Sequence, residues 1–143
     1  MNPENVCKNL KPAELKKLSD NDSLKIIYDL QYKLQERLGE IDRYKKADMR
    51  EKCICAMEHI FHMNAEMVEF MERLPFKRWK QYTPEQLKDW ISDEQRTETV
   101  FEAIDFLHFA LNIFIIFNIT PEEIVNYYLQ KNKENHNRQE NNY

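Results

Sequence analysis

An all-α fold, a bundle of four to five helices, is what this sequence predicts, on three observations. One Gly and five Pro in 143 residues leave little material for tight turns and sheet edges. Apolar residues recur at helical spacing through several long stretches. Most of those stretches open on residues that cap helices. The chain is long enough for one domain with a real core, and its 32% charged residues and mean hydropathy of −0.79 give a very polar surface. The expected organisation is a polar N-terminal segment over 1–20 and a single all-α domain over 21–143.

Within residues 1–20 the one structural signal is a short helix at Pro12 to Leu18. Asp20, Asn21, Asp22 and Ser23 cluster N-cap residue types, and Leu24, Ile26, Ile27, Leu30, Leu34 and Leu38 follow at helical spacing. That predicts a first helix over about 24–38, with Gly39 as its C′ residue. Gln31, in its middle, is either a boundary glutamine or an amide presented to a ligand. Arg43 to Ala47 reads as a charged connection.

A long helix follows from about Met49 to Leu74. Its apolar face carries Ile54, Met57, Ile60, Phe61, Met63, Met67, Val68, Phe70, Met71 and Leu74, and its other edge Glu58, His62, Glu66, Glu69 and Arg73. Pro75 stops it, and in LPFKRWKQY lysines alternate with Phe76 and Trp79. Such an exit either binds phosphate and stacks a base or is a packed corner with snorkelling lysines. Thr83-Pro84-Glu85-Gln86 starts a short helix over about 84–91, and Ser92 caps another over about 94–117. Thr120-Pro121-Glu122-Glu123 repeats the capping pattern and opens the last helix at Pro121.

Chemistry concentrates in the helix before that. IDFLHFALNIFIIFNI, Ile104 to Ile119, is apolar almost all round, as in a helix buried on every side. Yet Glu98, Glu102, Asp105, His108 and Asn112 fall within a sector of about 120°. Buried carboxylates cost several kcal/mol each, in order of magnitude, unless a counter-charge meets them. A cation or a basic partner is therefore expected there. Glu66 and Glu69 form a second pair at i, i+3; an acidic helix edge is otherwise simply solvated. In the last helix Tyr128, Lys131, Asn135 and Arg138 share a sector of about 80°, a donor row if it is not a solvated tail.

Composition excludes several classes. A net charge of −4 argues against binding a nucleic-acid polymer, which calls for a basic patch, although not against a small anion. Cys7, Cys53 and Cys55 are odd in number with no C-x-x-C spacing, so neither a disulfide framework nor a zinc site is expected. No apolar run of signal-peptide length opens the chain, and the apolar part of the core helix reads as too short and too interrupted to span a bilayer. The expectation is a cytoplasmic protein, in the host cytoplasm if viral, with no membrane partner.

Four carboxylates facing one groove repel one another unless divalent cations bind between them. Hard oxygen ligands favour Mg²⁺, or Mn²⁺, and the donors of the last helix suit phosphate oxygens. The combination reads as metal-assisted phosphoanhydride hydrolysis.

EMVEFMERLPFKRWK, EAIDFLHF and YYLQKNKENHNRQENNY, in that order, resemble the successive motifs of the all-α, dimeric-type dUTPases. These belong to the helical nucleoside-triphosphate pyrophosphatase superfamily that includes MazG. The compact length and the direct run from the E-x-x-D helix into K-N-x-x-N-x-x-R-Q most resemble the phage dCTP pyrophosphatase family. The resemblance extends from about Gln31 to Tyr143.

It implies a bundle of the all-α NTP pyrophosphatase type that hydrolyses dUTP, and also dCTP, to the monophosphate and pyrophosphate with Mg²⁺. Glu66, Glu69, Glu102 and Asp105 match the family's metal ligands and catalytic residues, one glutamate also orienting or deprotonating the attacking water. Lys131, Asn132, Asn135 and Arg138 match the phosphate-binding helix, with Tyr143 closing over the site. Gln31 matches the glutamine that reads the pyrimidine edge. Phe76, Lys77, Trp79 and Lys80 match the aromatic-basic segment after the first metal helix. His108 and Phe109 match the pair beside the deoxyribose, and Asn112 continues their stripe towards the sugar. Water attacks in line at a phosphorus of the triphosphate chain, the β-phosphorus in the family. Leu34 stands where the family has a polar residue three positions after the base-reading glutamine, which leaves the choice between uracil and cytosine open. A dCTP-preferring enzyme and a broader MazG-like dNTP pyrophosphatase are the alternatives.

Two rival readings come from other classes. Asp105 to His108 is a carboxylate-x-x-His pair, as in di-iron bundles, but the motif is needed on two helices and stands on one. A helical interaction protein would meet the stripe with a partner's basic residues and need no metal. A homodimer is expected because the core helix has more apolar circumference than one small bundle covers.

Overall fold

The computed structural model describes residues 22–89 and 93–141, with side chains outside 88–95. The segment 1–20, the cap at Ser92 and Tyr143 lie outside the described residues. Six helices and no strand are found among the described residues: α1 Ser23–Arg37, α2 Glu40–Lys46, α3 Met49–Glu72, α4 Pro84–Asp89, α5 Asp93–Ile116 and α6 Pro121–Glu140. The all-α expectation holds.

The chain divides into two compact units. One holds α1 up to Leu34 together with α6. Its helix starts are fixed as the sequence predicts. The Asp22 carboxylate accepts from the Lys25 backbone N–H at 3.1 Å. Thr120 and Glu123 form a reciprocal capping box with Pro121 in the first turn, satisfying donors that a helix start leaves unpaired. Tyr28, Gln31 and Pro121 are buried in this unit.

The other unit, Gln35–Ile119, contains α2 to α5. The segment expected as a charged connection from Arg43 to Ala47 is instead helical over Glu40–Lys46. Gly39 takes φ +81, a left-handed turn that glycine allows at no steric cost. Glu40 and Asp42 in the first turn and Arg43, Lys45 and Lys46 in the last complement the helix dipole, while Ile41 and Tyr44 are buried. Asp48 caps α3, and Thr83 and Gln86 cap α4 reciprocally at 3.0 and 3.1 Å.

Helices α3 and α5 pack antiparallel, as Arg73 beside Glu98 at one end and His62 beside Phe109 at the other show. Leu111, Asn112, Ile115 and Ile116 of α5 and Cys55 and Ala56 of α3 are buried. Two expectations are corrected. Core helix α5 is not buried on every side: Val100 and Ile104 are exposed, and the acidic stripe lies along an open seam. On α3 much of the apolar face is exposed as well, including Ile54, Met57, Phe61, Met67, Val68 and Met71. The edge carrying His59, His62, Glu66 and Arg73 is the one that meets α5, because ionic and ring contacts join the two helices there. A further correction concerns length: Arg96–Ile116 is long and apolar enough, by length and composition alone, to cross a membrane. Its acidic row and its packing on α3 give it instead the character of a bundle's core helix.

Candidate active site

On α3, His59, His62, Glu66, Glu69 and Arg73 fall within a sector of about 80°. Opposite them, α5 presents Phe109, Asp105, Glu102 and Glu98 in reverse order. Phe109 lies with its ring centroid 5.8 Å from that of His59 and 5.3 Å from that of His62, nearly parallel to the latter. At the other end Arg73 Nε donates to Glu102 Oε1 at 2.9 Å and Nη1 to Glu98 Oε2 at 3.1 Å, with Nη2 also 2.9 Å from Glu102 Oε1.

Between these ends Glu66, Glu102 and Asp105 converge, each offering an oxygen within 4.8 Å of the others. Of the four carboxylates that helical spacing points into one groove, these three are brought together. Glu69 stands outside the trio, exposed, although its charge reaches Glu66. Burial pushes the Glu66 carboxyl above its ordinary range, and the negative charges of Glu69, Asp105 and Glu102 push it further, against a smaller opposing effect of His62. Burial works against the charge on Arg73, but the hydrogen bonds to Glu98 and Glu102 hold its pKa above the usual guanidinium value. An all-oxygen donor set of converging carboxylates fits a hard divalent cation such as Mg²⁺ or Mn²⁺.

Around the trio, Asp105 Oδ1 is 3.4 Å from His108 Nδ1, both side chains about half exposed. Asn112 is buried, 2% exposed. Past the end of α3, the Lys77 backbone N–H donates to the Tyr82 hydroxyl at 3.1 Å and Lys80 Nζ lies 5.4 Å from the Tyr82 ring centroid. Trp79 is 81% exposed. Arg73, Lys77, Lys80, Tyr82 and Gln86 border one groove.

The unit made of α1 and α6 carries the other sequence-predicted residues. Gln31 is buried. Tyr128, Lys131, Asn132, Asn135 and Arg138 are exposed along α6. Lys131 Nζ reaches Glu134 at 2.6 Å and Arg138 pairs with the same carboxylate. The hydrogen bond from Lys131, then the charge of Arg138, hold Glu134 below the usual carboxylate range.

Sequence reasoning missed two features. Arg73 was legible as a member of the acidic edge, seven residues from Glu66, but nothing in the spacing shows that it bridges to Glu98 and Glu102. The second is a chain of polar contacts: the Tyr44 hydroxyl lies 3.4 Å from Gln35 Oε1 and 3.0 Å from His59 Nε2. Burial lowers the His59 pKa, and the neighbouring His62 lowers it further. These partners stand 9 and 15 residues from Tyr44, beyond the reach of helical periodicity.

Fold and seam together define an all-α protein with a cluster of carboxylates set across two antiparallel helices. The chain is 31% identical over 144 positions to a dCTP pyrophosphatase of Enterobacteria phage T4, covering 87% of this chain and 84% of that protein. It belongs to the phage dCTP pyrophosphatase family. A dCTP pyrophosphatase of Enterobacteria phage LZ5 is 39% identical over 67 residues, 47% of this chain and 38% of the relative. A DNA replication protein of phage T4 is 30% identical over 134 residues, 80% of this chain, which thus matches about a third (34%) of that longer protein. No family model and no solved structure matches.

Proposed function

We propose that the protein is a Mg²⁺-dependent pyrimidine deoxynucleoside triphosphate pyrophosphatase, acting on dCTP and dUTP in the host cytoplasm. The observation that carries this reading is the convergence of Glu66, Glu102 and Asp105 within 4.8 Å across α3 and α5, in a chain similar over most of its length to a phage dCTP pyrophosphatase. The names of the relatives favour dCTP over dUTP as the first substrate to try.

Glu66, Glu102 and Asp105 would hold the cation, with Glu69 beside them; bound there, it would neutralise charge on the phosphate oxygens. Glu69, outside the trio, is suited to orient the attacking water and accept its proton. The water oxygen forms a bond to phosphorus, the bond to the α,β-bridging oxygen breaks, and monophosphate and pyrophosphate result. Lys77 and Lys80, followed by Lys131, Asn132, Asn135 and Arg138, are assigned to the phosphates by their place in the motifs. Gln31 is assigned to the pyrimidine edge. His108 and Phe109 are assigned to the deoxyribose, Phe109 being held by two histidine rings. Tyr128, Asn112 and Trp79 complete the proposed substrate-binding set, with Tyr143.

The exposed stripe of Ile54, Met57, Phe61 and Val68, within about 60° on α3, is the surface we assign to a homodimer contact. Incubation with dCTP or dUTP and Mg²⁺, followed by phosphorus NMR, tests the reaction class. Equimolar monophosphate and pyrophosphate are expected, whereas diphosphate and orthophosphate would refute a pyrophosphatase.

A further inference from the structure

Arg73 grips the same Glu102 that belongs to the carboxylate trio. Its guanidinium places two nitrogens 2.9 Å from Glu102 Oε1 and a third 3.1 Å from Glu98 Oε2. The Glu102 side chain is only 16% exposed, against 56% for Glu98, so the shielded carboxylate is the one most in need of a counter-charge. A carboxylate oxygen held by a guanidinium is partly withdrawn from a metal, because the two cations compete for the same lone pairs and repel each other.

The position of Arg73 gives it a second destination. It is the C-cap residue of α3, where the negative end of the helix dipole favours a cation. Arg73 also borders a groove whose charged lining is Glu72, Lys77 and Lys80, with Tyr82 and Gln86 beside them. Released from Glu102, the guanidinium would join two lysines against the single carboxylate of Glu72, a net positive setting that fits a multiply charged phosphate.

We infer that Arg73 is a built-in counter-ion of the metal site: it neutralises Glu102 and Glu98 while no metal is bound, and metal entry releases it into the Lys77–Lys80 groove to bind substrate phosphate. The inference rests on the trio being a metal site. The coupling is positive and reciprocal: metal binding frees a phosphate donor, and phosphate held by Arg73 favours metal at the trio by the same factor.

The test uses the full chain and two probes: Mn²⁺ alone, followed by electron paramagnetic resonance, and inorganic pyrophosphate binding to the Mn²⁺-loaded protein. Wild type binds Mn²⁺, and Glu66→Gln weakens that binding. Arg73→Gln is expected to bind Mn²⁺ roughly threefold to tenfold more tightly, the scale of a partly shielded ion-pair fork, and to bind pyrophosphate about tenfold more weakly once loaded. Arg73→Lys keeps the charge but not the fork, and is expected to tighten Mn²⁺ binding by less. Circular dichroism checks that each variant is folded; if Arg73→Gln is not, the lysine variant carries the comparison. Mn²⁺ affinity equal to or below wild type in the folded variants would overturn the inference while leaving the metal site intact. Unchanged pyrophosphate affinity would overturn the released arm of it. Absence of Mn²⁺ binding by wild type would remove the metal site itself and the inference with it.

Discussion

Replacing Glu66 by glutamine should change stability in opposite directions with and without metal. In the metal-free protein the Glu66 carboxyl is pushed above its ordinary pKa by burial and by the charges of Glu69, Asp105 and Glu102. A raised acid pKa means that the folded state holds the proton more tightly than the unfolded chain, so stability falls as pH rises from the unfolded pKa through the folded one. Glu66→Gln removes that loss. The site is partly open to solvent, so screening limits the gain to about 0.5–1 kcal/mol, a melting shift of roughly 2–5 °C for a chain of this size. The gain should vanish below about pH 4, where the unfolded carboxyl is itself protonated.

Metal reverses the order. A cation at a hundred times its Kd stabilises the folded state by about 2.7 kcal/mol, and the glutamine variant, with one ligand oxygen lost, should recover little of this. Thermal melts of both proteins at pH 7 in EDTA and in MgCl₂ make the comparison. A variant less stable than wild type in EDTA would show that Glu66 is engaged in a favourable structural contact. An equal Mg²⁺ shift in both would show that it is not a ligand.

Three further outcomes are expected. Tyr44→Phe deprives Gln35 and His59 of their shared hydroxyl and should cost about 1–2 kcal/mol by denaturant melts, with no change in Mg²⁺ affinity. Phe109→Ala should raise turnover of CTP relative to dCTP by about tenfold, since loss of a packed ring relaxes discrimination against an added hydroxyl; an unchanged ratio would remove Phe109 from the sugar site. Light scattering at micromolar concentration should show a dimer, and Phe61→Glu should give a monomer, because Phe61 lies 67% exposed in the apolar stripe; a monomeric wild type would contradict the assigned contact.

Much of this fold could be read in the sequence because its signals are local. The Thr120–Glu123 and Thr83–Gln86 boxes are four-residue patterns whose hydrogen bonds depend on the backbone beside them. The carboxylate trio was legible for a related reason: i, i+3 spacing puts Glu102 and Asp105 on one face, and a single antiparallel pairing brings that face to Glu66. The same spacing puts Glu69 on the face of Glu66, and there it stands beside the trio rather than within it. Helix α2 was missed because only seven residues, mostly charged, give no apolar period, and its start depends on the positive φ of Gly39. Exposure of Phe61 and Val68 was not legible either, since periodicity marks an apolar face without saying whether this chain or another covers it. The Arg73 fork and the Tyr44–His59 contact depend on tertiary register, which spacing along one helix does not contain.

The most direct measurement follows pyrophosphate release from a panel of the deoxynucleoside triphosphates, with Mg²⁺ present or chelated, for wild type and Glu102→Gln. Turnover of dCTP or dUTP that requires Mg²⁺ and falls by at least about a hundredfold in the variant, the usual scale for losing a group that stabilises transition-state charge, is the expected result. No metal-dependent turnover of any of them would contradict the hydrolase, and full activity of Glu102→Gln would contradict the carboxylate trio as its centre.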